Sequence, residues 1–418
     1  MANLFNLQSN NDLYKLISPN RFDLIAKYIY IKFKDKKVNS SFYYELYHAH
    51  MKTFNNCWEY PGTKTNIEEF ITAFDKLIDS IEKDGFDKNF PIPLGVNNII
   101  VNGAHRLIAS YYYNKLPWFV RERKRATSYN YMFFLNRKQF PNLDRFYSDY
   151  MALEYVKLNP QIRCMIVYPN VYHLNKLGII KQIINKYGYL YYDKEIDLNE
   201  KGQNNLIKEL YRGERWIGGL FPRAITGKTP LVKGNNPTVL LLIHMNDLSK
   251  LVEMKNKCRA LFNKGKESLH MSDFTHDTFR ISASLLNKNS VHFLNNGTND
   301  ISYKSKLLLT NYFKKIGKNN EDFCLTSSLI MEMYGLREAK DIDYLQKDDN
   351  KLFLEKTGLH SGKWLTYYHK HKDEIIYNPK YHFYFNGFKF SALEVIKKMK
   401  ENRNEKKDIV DVDLINKI

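Results

Sequence analysis

Cysteine is scarce in this 418-residue chain: Cys57, Cys164, Cys258 and Cys324 stand far apart, and none belongs to a C-x-x-C pair. A disulfide framework and a zinc ribbon are therefore not implied, and a reducing compartment fits best. No apolar run approaches the length of a bilayer span. Residues 1–15 also lack the basic-then-apolar design of a secretory signal. The expectation is a cytoplasmic protein with no membrane span. Glycine (19) and proline (12) are few, and no internal repeat interrupts the pattern. The one biased stretch is the Lys/Asn-rich C-terminal end, which reads most simply as a solvated helix face.

What is present points to several packed cores. Hydrophobic residues make up 44% and aromatic residues 15%, and this length suggests two or three domains. The 31 Tyr and 26 Phe, with abundant Asn and Lys, follow the codon composition of an AT-rich genome. Basic residues outnumber acidic ones, 64 to 45, for a net charge of +19. Such a field attracts nucleotides, phosphosugars, nucleic acids or anionic membranes without choosing among them.

The pattern divides the chain into residues 1–158, 160–298 and 299–418. Residues 20–85 read helical, with Phe70, Phe74, Leu77, Ile78 and Ile81 at helical spacing and Asp84-Gly85 as a stop. Residues 90–103 read strand–turn–strand about Asn97-Asn98. A helix from Ala104 to Lys115 follows, and another over 139–158 leads to a boundary at Asn159-Pro160. Beyond it come strand (RCMIVY), helix (LNKLGIIKQIINKYG), strand (YLYYDKEID), a polar loop from Gly213 to Gly234 and the strand TVLLLI. Helices near 247–262 and 274–288 complete this part. A basic helix over 303–318 leads into the last one. The expected class is multidomain α/β (α+β).

Residues 326–345 (TSSLIMEMYGLREAKDIDYL) carry the first chemical signal. A Ser327-Ser328 turn precedes an apolar helical run and then Asp341-Ile342-Asp343. In a strand, residues i and i+2 share a face, so the two aspartates would point the same way with Ile342 behind them. Adjacent carboxylates are costly unless a cation lies between them, and Mg²⁺ takes carboxylates together with substrate phosphates. The bland alternative is a strand edge with two solvated aspartates.

This segment resembles the nucleotidyltransferase superfamily, whose pattern is a Gly/Ser-Ser turn, a helix and Asp-hydrophobic-Asp/Glu. The resemblance implies catalytic, Mg²⁺-binding roles for Asp341 and Asp343 and nucleotide contacts from Ser327 and Ser328. The family's third carboxylate has no match, because the best strand, His382 to Phe390, holds no acid. Lys397, Lys400, Arg403, Lys407, Asp408 and Asp411 resemble the Lys…Arg…Lys-Asp-x-x-Asp tail of toxin–antitoxin-type members.

Residues 101–110 (VNGAHRLIAS) place a Gly turn and a His-Arg pair at a helix start, where N–H groups favour an anion and an arginine fork suits phosphate. With the preceding helix–strand–turn–strand order, residues 65–125 resemble the ParB/sulfiredoxin fold, in which such a Gly-x-His-Arg box binds nucleotide phosphates. Gly103, His105 and Arg106 would be the contacts. Gly-Ala-His-Arg versions look most like stand-alone domains found near surface-polysaccharide genes. The alternative is a helix-capping turn with an ordinary surface arginine.

Residues 269–273 (LHMSD) precede a helix that Ser272 or Asp273 is placed to cap. With Cys258-Arg259 upstream, residues 162–292 resemble nucleoside diphosphate kinase. In that reading His270 accepts phosphate, Arg259 contacts it and Tyr211 walls the site. The family's lysine appears here as Tyr168, so the site is either slow or re-supplied by a lysine from the 226–234 loop, with Lys228 and Lys233 as candidates. Phosphohistidine chemistry, phosphate binding without turnover and a structural histidine all remain open.

Together the three resemblances imply phosphoryl or nucleotidyl transfer from a nucleoside triphosphate, with Mg²⁺, to a sugar or small phosphorylated acceptor. Assembly into oligomers is usual for the kinase-like part. A ParB-like nucleic-acid binder is the less favoured partner reading, since no helix-turn-helix follows the box and the basic residues are spread. A non-catalytic nucleotide-binding scaffold is the third.

Overall fold

The computed structural model describes residues 4–6, 16–218, 227–298, 301–317, 320–348 and 357–418. The chain mixes helices with separate small sheets and divides into two compact units, Met1–Tyr155 and Val156–Ile418. Among the described residues, no helix is long and apolar enough to cross a membrane.

The first unit gathers helices around a buried aromatic centre. Helix α1 (Asp23–Asp35) is buried on nearly every side, its charged Asp23, Lys27 and Lys32 included. Its Tyr30 packs against Tyr43 and Tyr47 of α2 (Phe42–Asn55) and Phe74 of α3 (Ile67–Asp84). Helix α3 buries Phe70, Phe74, Ile78 and Ile81, a stripe at helical spacing. Asn66 caps its start through the Glu69 amide, and Gly85 at φ 84° ends it.

A three-stranded sheet, ordered β1-β3-β2, completes this unit from β1 (Leu4–Asn6), β2 (Ile92–Leu94) and β3 (Trp118–Arg121). The strand–turn–strand expected over 90–103 is smaller than its pattern suggests. Only β2 forms, and after the Asn98 turn (φ 57°) the return is one bridge between Leu94 and Ile100. Gly103 then starts α4 (Ala104–Tyr112), which stops short of Lys115 because Asn114 turns left-handed at φ 61°.

The second unit holds two sheets. One runs β5-β6-β4-β7, antiparallel throughout, from β4 (Ile162–Val167), β5 (Gly188–Ile196), β6 (Thr238–Met245) and β7 (Leu269–Met271). Helix α5 (Leu174–Tyr187) connects β4 to β5, and α7 (Leu251–Ala260) connects β6 to β7, with α6 (Glu200–Leu210) between the pairs. Ile180 and Ile184 of α5 and Met254 and Cys258 of α7 pack on one face, against Met165, Leu241 and Ile243. Helices α8 (Thr275–Leu286) and α9 (Lys288–Asn296) follow.

The segments on either side of residue 298 pack together. Phe293 of α9 stacks on Phe383, and Asn287 donates to the Pro379 carbonyl. After α10 (Tyr303–Ile316) comes a mixed sheet ordered β10-β9-β8-β12-β11. Its strands are β8 (Phe323–Thr326), β9 (Ile342–Gln346), β10 (Thr357–Leu359), β11 (His382–Phe385) and β12 (Phe388–Ser391), and α11 (Ser328–Met333) lies between β8 and β9. The stretch expected as one strand from His382 to Phe390 is instead a hairpin. Asn386 (φ 55°) and Gly387 (φ 75°) turn it, the positive-φ pair that a two-residue hairpin loop favours. Helices α12 (Leu393–Arg403) and α13 (Lys406–Ile415) close the chain.

Candidate functional site

The first unit contains a cavity of about 530 Å³, within the usual range for small-ligand sites. It opens at the start of α4, where Gly103 (φ 84°) turns the chain so that Asn102 to Arg106 line it. A Cβ on Gly103 would come within 3.1 Å of the Arg106 guanidinium and 3.3 Å of Ile92, so the approach is close as well as left-handed. The His105 ring bonds to the Tyr47 hydroxyl (2.8 Å) and meets Phe74 edge-on. Burial, and then Lys27, His50 and Lys64, hold its pKa well below the usual histidine value, so it is neutral at physiological pH. Arg106 donates to the Phe90 and Pro91 carbonyls, which ties the strand entrance to the helix.

The charge of the cavity comes mainly from residues without a local motif. Arg21 grips Asp23 with two bonds of 2.7 Å, and Lys27 lies 3.7 Å from the same carboxylate. Lys27 also reaches the Asp23 carbonyl (3.2 Å) and His50 Nε2 (3.3 Å). Lys64 pairs with Glu59 across a hairpin. Arg21, Lys27, Lys64 and Arg106 thus face two carboxylates, Asp23 and Glu59, and the lining carries two positive charges in excess. Asn55 is a further lining residue. Such a lining suits an anion, with Phe54, Phe70 and Tyr129 as apolar wall.

In the second unit His270 lies on the edge strand β7, opposite Ile166. Tyr211 meets its ring edge-on at 5.0 Å, and the Tyr211 and Tyr168 hydroxyls are 3.3 Å apart. Arg259 is held beside it by a bond to the Leu269 carbonyl (3.2 Å), while its Nε is buried without a partner. Lys228 sits over both the Tyr168 and Tyr211 rings. Lys233 instead pairs with Glu200. Burial, reinforced by Lys255, Arg280, Arg259 and Lys228, lowers the His270 pKa to about 3. This is a neutral imidazole among cations, able to bind phosphate or to accept a phosphoryl group. Neither Ser272 nor Asp273 caps α8. Ser272 is buried and bonds Cys164 and Thr278, and Asp273 pairs with Lys255 (3.0 Å). Part of the Gly213–Gly234 loop, residues 219–226, lies outside the described residues.

The third cluster gathers at one end of the mixed sheet. Strand β8 ends at Thr326, which faces Asp343 of β9 in register. Ser327 (φ 63°) turns the chain there, and both it and Ser328 are buried at the start of α11. Asp341 is exposed and precedes the strand, which begins at Ile342, whereas Asp343 is partly buried within it. His360, just past β10, brings its Nε2 to 3.5 Å from Asp343 Oδ2. Among the described residues no three His, Cys, Asp or Glu side chains converge as a metal cage. The tail residues have another task. Lys400 and Arg403 hold Asp408, and Lys400 and Arg337 hold Asp411, in a buried network joining α12 to α13.

Sequence reasoning did not find Arg21, Asp23, Lys27, Lys64 or His360. The first four converge only when α1, α3 and the 59–64 hairpin pack, and His360 reaches Asp343 only through the pairing of β10 with β9. No protein-family model, curated protein or solved structure matches this chain.

Proposed function

We propose that this chain is a nucleotide-dependent transferase that moves a phosphoryl or nucleotidyl group from a nucleoside triphosphate to a small polar acceptor. The observation that carries the reading is the cationic cavity of the first unit, where four cations and a helix start border about 530 Å³. A sugar or sugar phosphate of surface glycans is the acceptor favoured by the Gly-Ala-His-Arg resemblance, and this part rests on analogy of family.

The other two clusters support the same chemistry. The β5-β6-β4-β7 order with its two helical crossovers agrees with a ferredoxin-like, kinase-type unit. Its His270, beside Arg259 and near Lys228, has the charge surroundings that phosphoryl acceptance needs. The turn, helix and strand around Ser327, Ser328 and Asp343 agree with a nucleotidyltransferase-like site. Gly358 stands opposite Asp343, and a Cβ there would come within 2.5 Å of its carboxylate, so glycine leaves room for that group. Asp343, with Asp341 at the strand entrance, would hold Mg²⁺, which supplies charge neutralisation at the transferring phosphate when bound.

The test is a thermal-shift screen of the full chain with ATP, CTP, GTP and UTP, with and without Mg²⁺, followed by transfer of labelled phosphate or nucleotide to sugar phosphates. A nucleotide-specific rise in melting temperature together with labelled sugar is expected. Binding without labelled product would instead support the scaffold reading, and no stabilisation by any nucleotide would overturn both.

A further inference from the structure

Among the described residues, the side chain that faces the Asp343 carboxylate is that of His360. His360 is buried, and its ring lies flat against Trp364, with centroids 5.0 Å apart at 6°. Its Nδ1 is bonded to the Tyr368 hydroxyl (2.7 Å), which is bonded in turn to Thr326 Oγ1 (3.0 Å). Stacking and hydrogen bond together fix the ring, so that Nε2 is aimed at the Asp343 carboxylate. That carboxylate accepts no hydrogen bond among the described residues, and its Oδ1 lies over Gly358, where a Cβ would come within 2.5 Å.

We infer that Asp343 and His360 form a two-ligand site for a divalent transition-metal ion, Mn²⁺ before Mg²⁺, whose remaining positions are filled by water and nucleotide phosphate. The spacing is the first reason. Two ligands, each about 2.1 Å from one ion, stand about 3.0–3.4 Å apart in octahedral or tetrahedral geometry. Nε2 and Oδ2 are separated by 3.5 Å, which is long for a hydrogen bond and close to that span.

The second reason is the outer shell. A ligating histidine characteristically donates its other ring N–H to a fixed acceptor, which sets its tautomer. Tyr368 fills that role once Nδ1 carries the proton, and it leaves the Nε2 lone pair for the ion. The third reason is chemical: imidazole suits first-row transition ions, whereas Mg²⁺ prefers an all-oxygen shell. The inference deepens the transferase reading and rests on it for the phosphate oxygens that complete the shell. The bland alternative is an ion pair between Asp343 and a protonated His360.

Titration of the full chain with Mn²⁺ alone, following the loss of the free-ion EPR signal, tests the site without nucleotide or turnover. Wild type should bind one Mn²⁺, displaced by Mg²⁺ only at concentrations at least ~10-fold higher. His360→Gln should weaken Mn²⁺ binding by ~10-fold or more, and Tyr368→Phe, which touches neither the ion nor Asp343, by ~10-fold or more as well. His360→Asp should restore binding but abolish the preference for Mn²⁺ over Mg²⁺. Circular dichroism of each variant reports its folding, and if His360→Gln unfolds, Tyr368→Phe and the wild-type competition still decide. Equal competition by Mg²⁺ in wild type, or unchanged Mn²⁺ affinity in the folded variants, would overturn the site. Mn²⁺ bound at His360 with no transfer detected would sink the transferase reading alone. Transfer that needs Asp343 but is indifferent to His360 would sink this inference alone.

Discussion

Replacing Asp23 with asparagine probes the floor of the cavity directly. The carboxylate is 1% exposed and receives two 2.7 Å bonds from Arg21. Burial raises its pKa, but Arg21 and then Lys27 and His50 outweigh that and hold it at about 2, against 3.8 unperturbed. The fall from 3.8 to about 2 corresponds to about 2–3 kcal/mol, at ~1.4 kcal/mol for each tenfold change in proton affinity. Because the folded-state pKa is the lower one, this stability is complete above pH 3.8 and is lost as the pH falls through about 2. At neutral pH the substitution costs more, since Arg21 and Lys27 are then buried without their counter-charge. Breaking such a pair costs ~3–5 kcal/mol, a large share of the ~5–15 kcal/mol that holds a domain together. The same change adds one positive charge to the cavity lining. A phosphate bound there would replace the missing carboxylate and return stability as RT ln(1 + [L]/Kd). Urea denaturation of wild type and Asp23→Asn, in chloride and in phosphate at matched ionic strength, reads both effects. The variant should lose ~3–5 kcal/mol in chloride, and the gap should narrow in phosphate. A gap of the same size in both salts would refute anion binding at this cavity. No gap at all would refute the counter-charge role of Asp23.

Burial, offset in part by Asp23, lowers the Lys27 pKa from 10.5 to about 8. Its charge is therefore present below pH 8, and anion affinity of the first unit should fall as pH rises through that value; Lys27→Arg should flatten the profile measured by calorimetry. Both His105 and His50 are held neutral by burial, so the same profile should show no histidine step between pH 6 and 7.5. Arg106→Ala should weaken phosphate or nucleotide binding by roughly 1.5–3 kcal/mol, the scale of a charged hydrogen bond; unchanged affinity would show that its carbonyl bonds to Phe90 and Pro91 are its whole role. Incubation with γ-labelled ATP should leave an acid-labile label that His270→Ala removes. A wild type that takes no label would confine His270 to binding or structure.

The parts of the fold that were legible in sequence are those set by local periodicity and turn chemistry. The apolar stripe of α3, the Gly85 stop and the strand–helix–strand run from Ile162 to Ile196 all lie where their patterns put them. Local reading failed where tertiary packing decides. The 90–103 hairpin shrank to a bridge, because the partner of β2 in the sheet is β3. The apolar and aromatic content of 382–390 reads as one strand, although Asn386-Gly387 carries a recognisable hairpin signal. Site residues divide in the same way. Gly103 to Arg106 are contiguous and lie where the motif suggests, but Lys27 and Lys64 reach the cavity from elements 37 positions apart, and no spacing rule connects them.

On the proposed reading the two units would present opposite demands to a nucleotide, and this decides how their roles can be separated. The cavity of the first carries excess positive charge, and its two carboxylates are already paired with Arg21 and Lys64, so on the proposed reading a free phosphate would satisfy it without a metal ion. The Asp343 cluster is the reverse. Its carboxylate would repel a bare triphosphate, and only a bound cation turns that repulsion into attraction. Removing divalent ions should therefore leave nucleotide binding to the first unit intact and abolish binding at Asp343. Adding Mg²⁺ should weaken the first interaction, because the metal neutralises the phosphate charge that the arginines and lysines recognise. Calorimetry of the full chain with ATP should thus show only metal-independent binding in EDTA and gain with Mg²⁺ a metal-dependent event that Asp343→Asn eliminates. A single event insensitive to both EDTA and Asp343→Asn would assign all nucleotide binding elsewhere than Asp343 and leave that carboxylate without a ligand role.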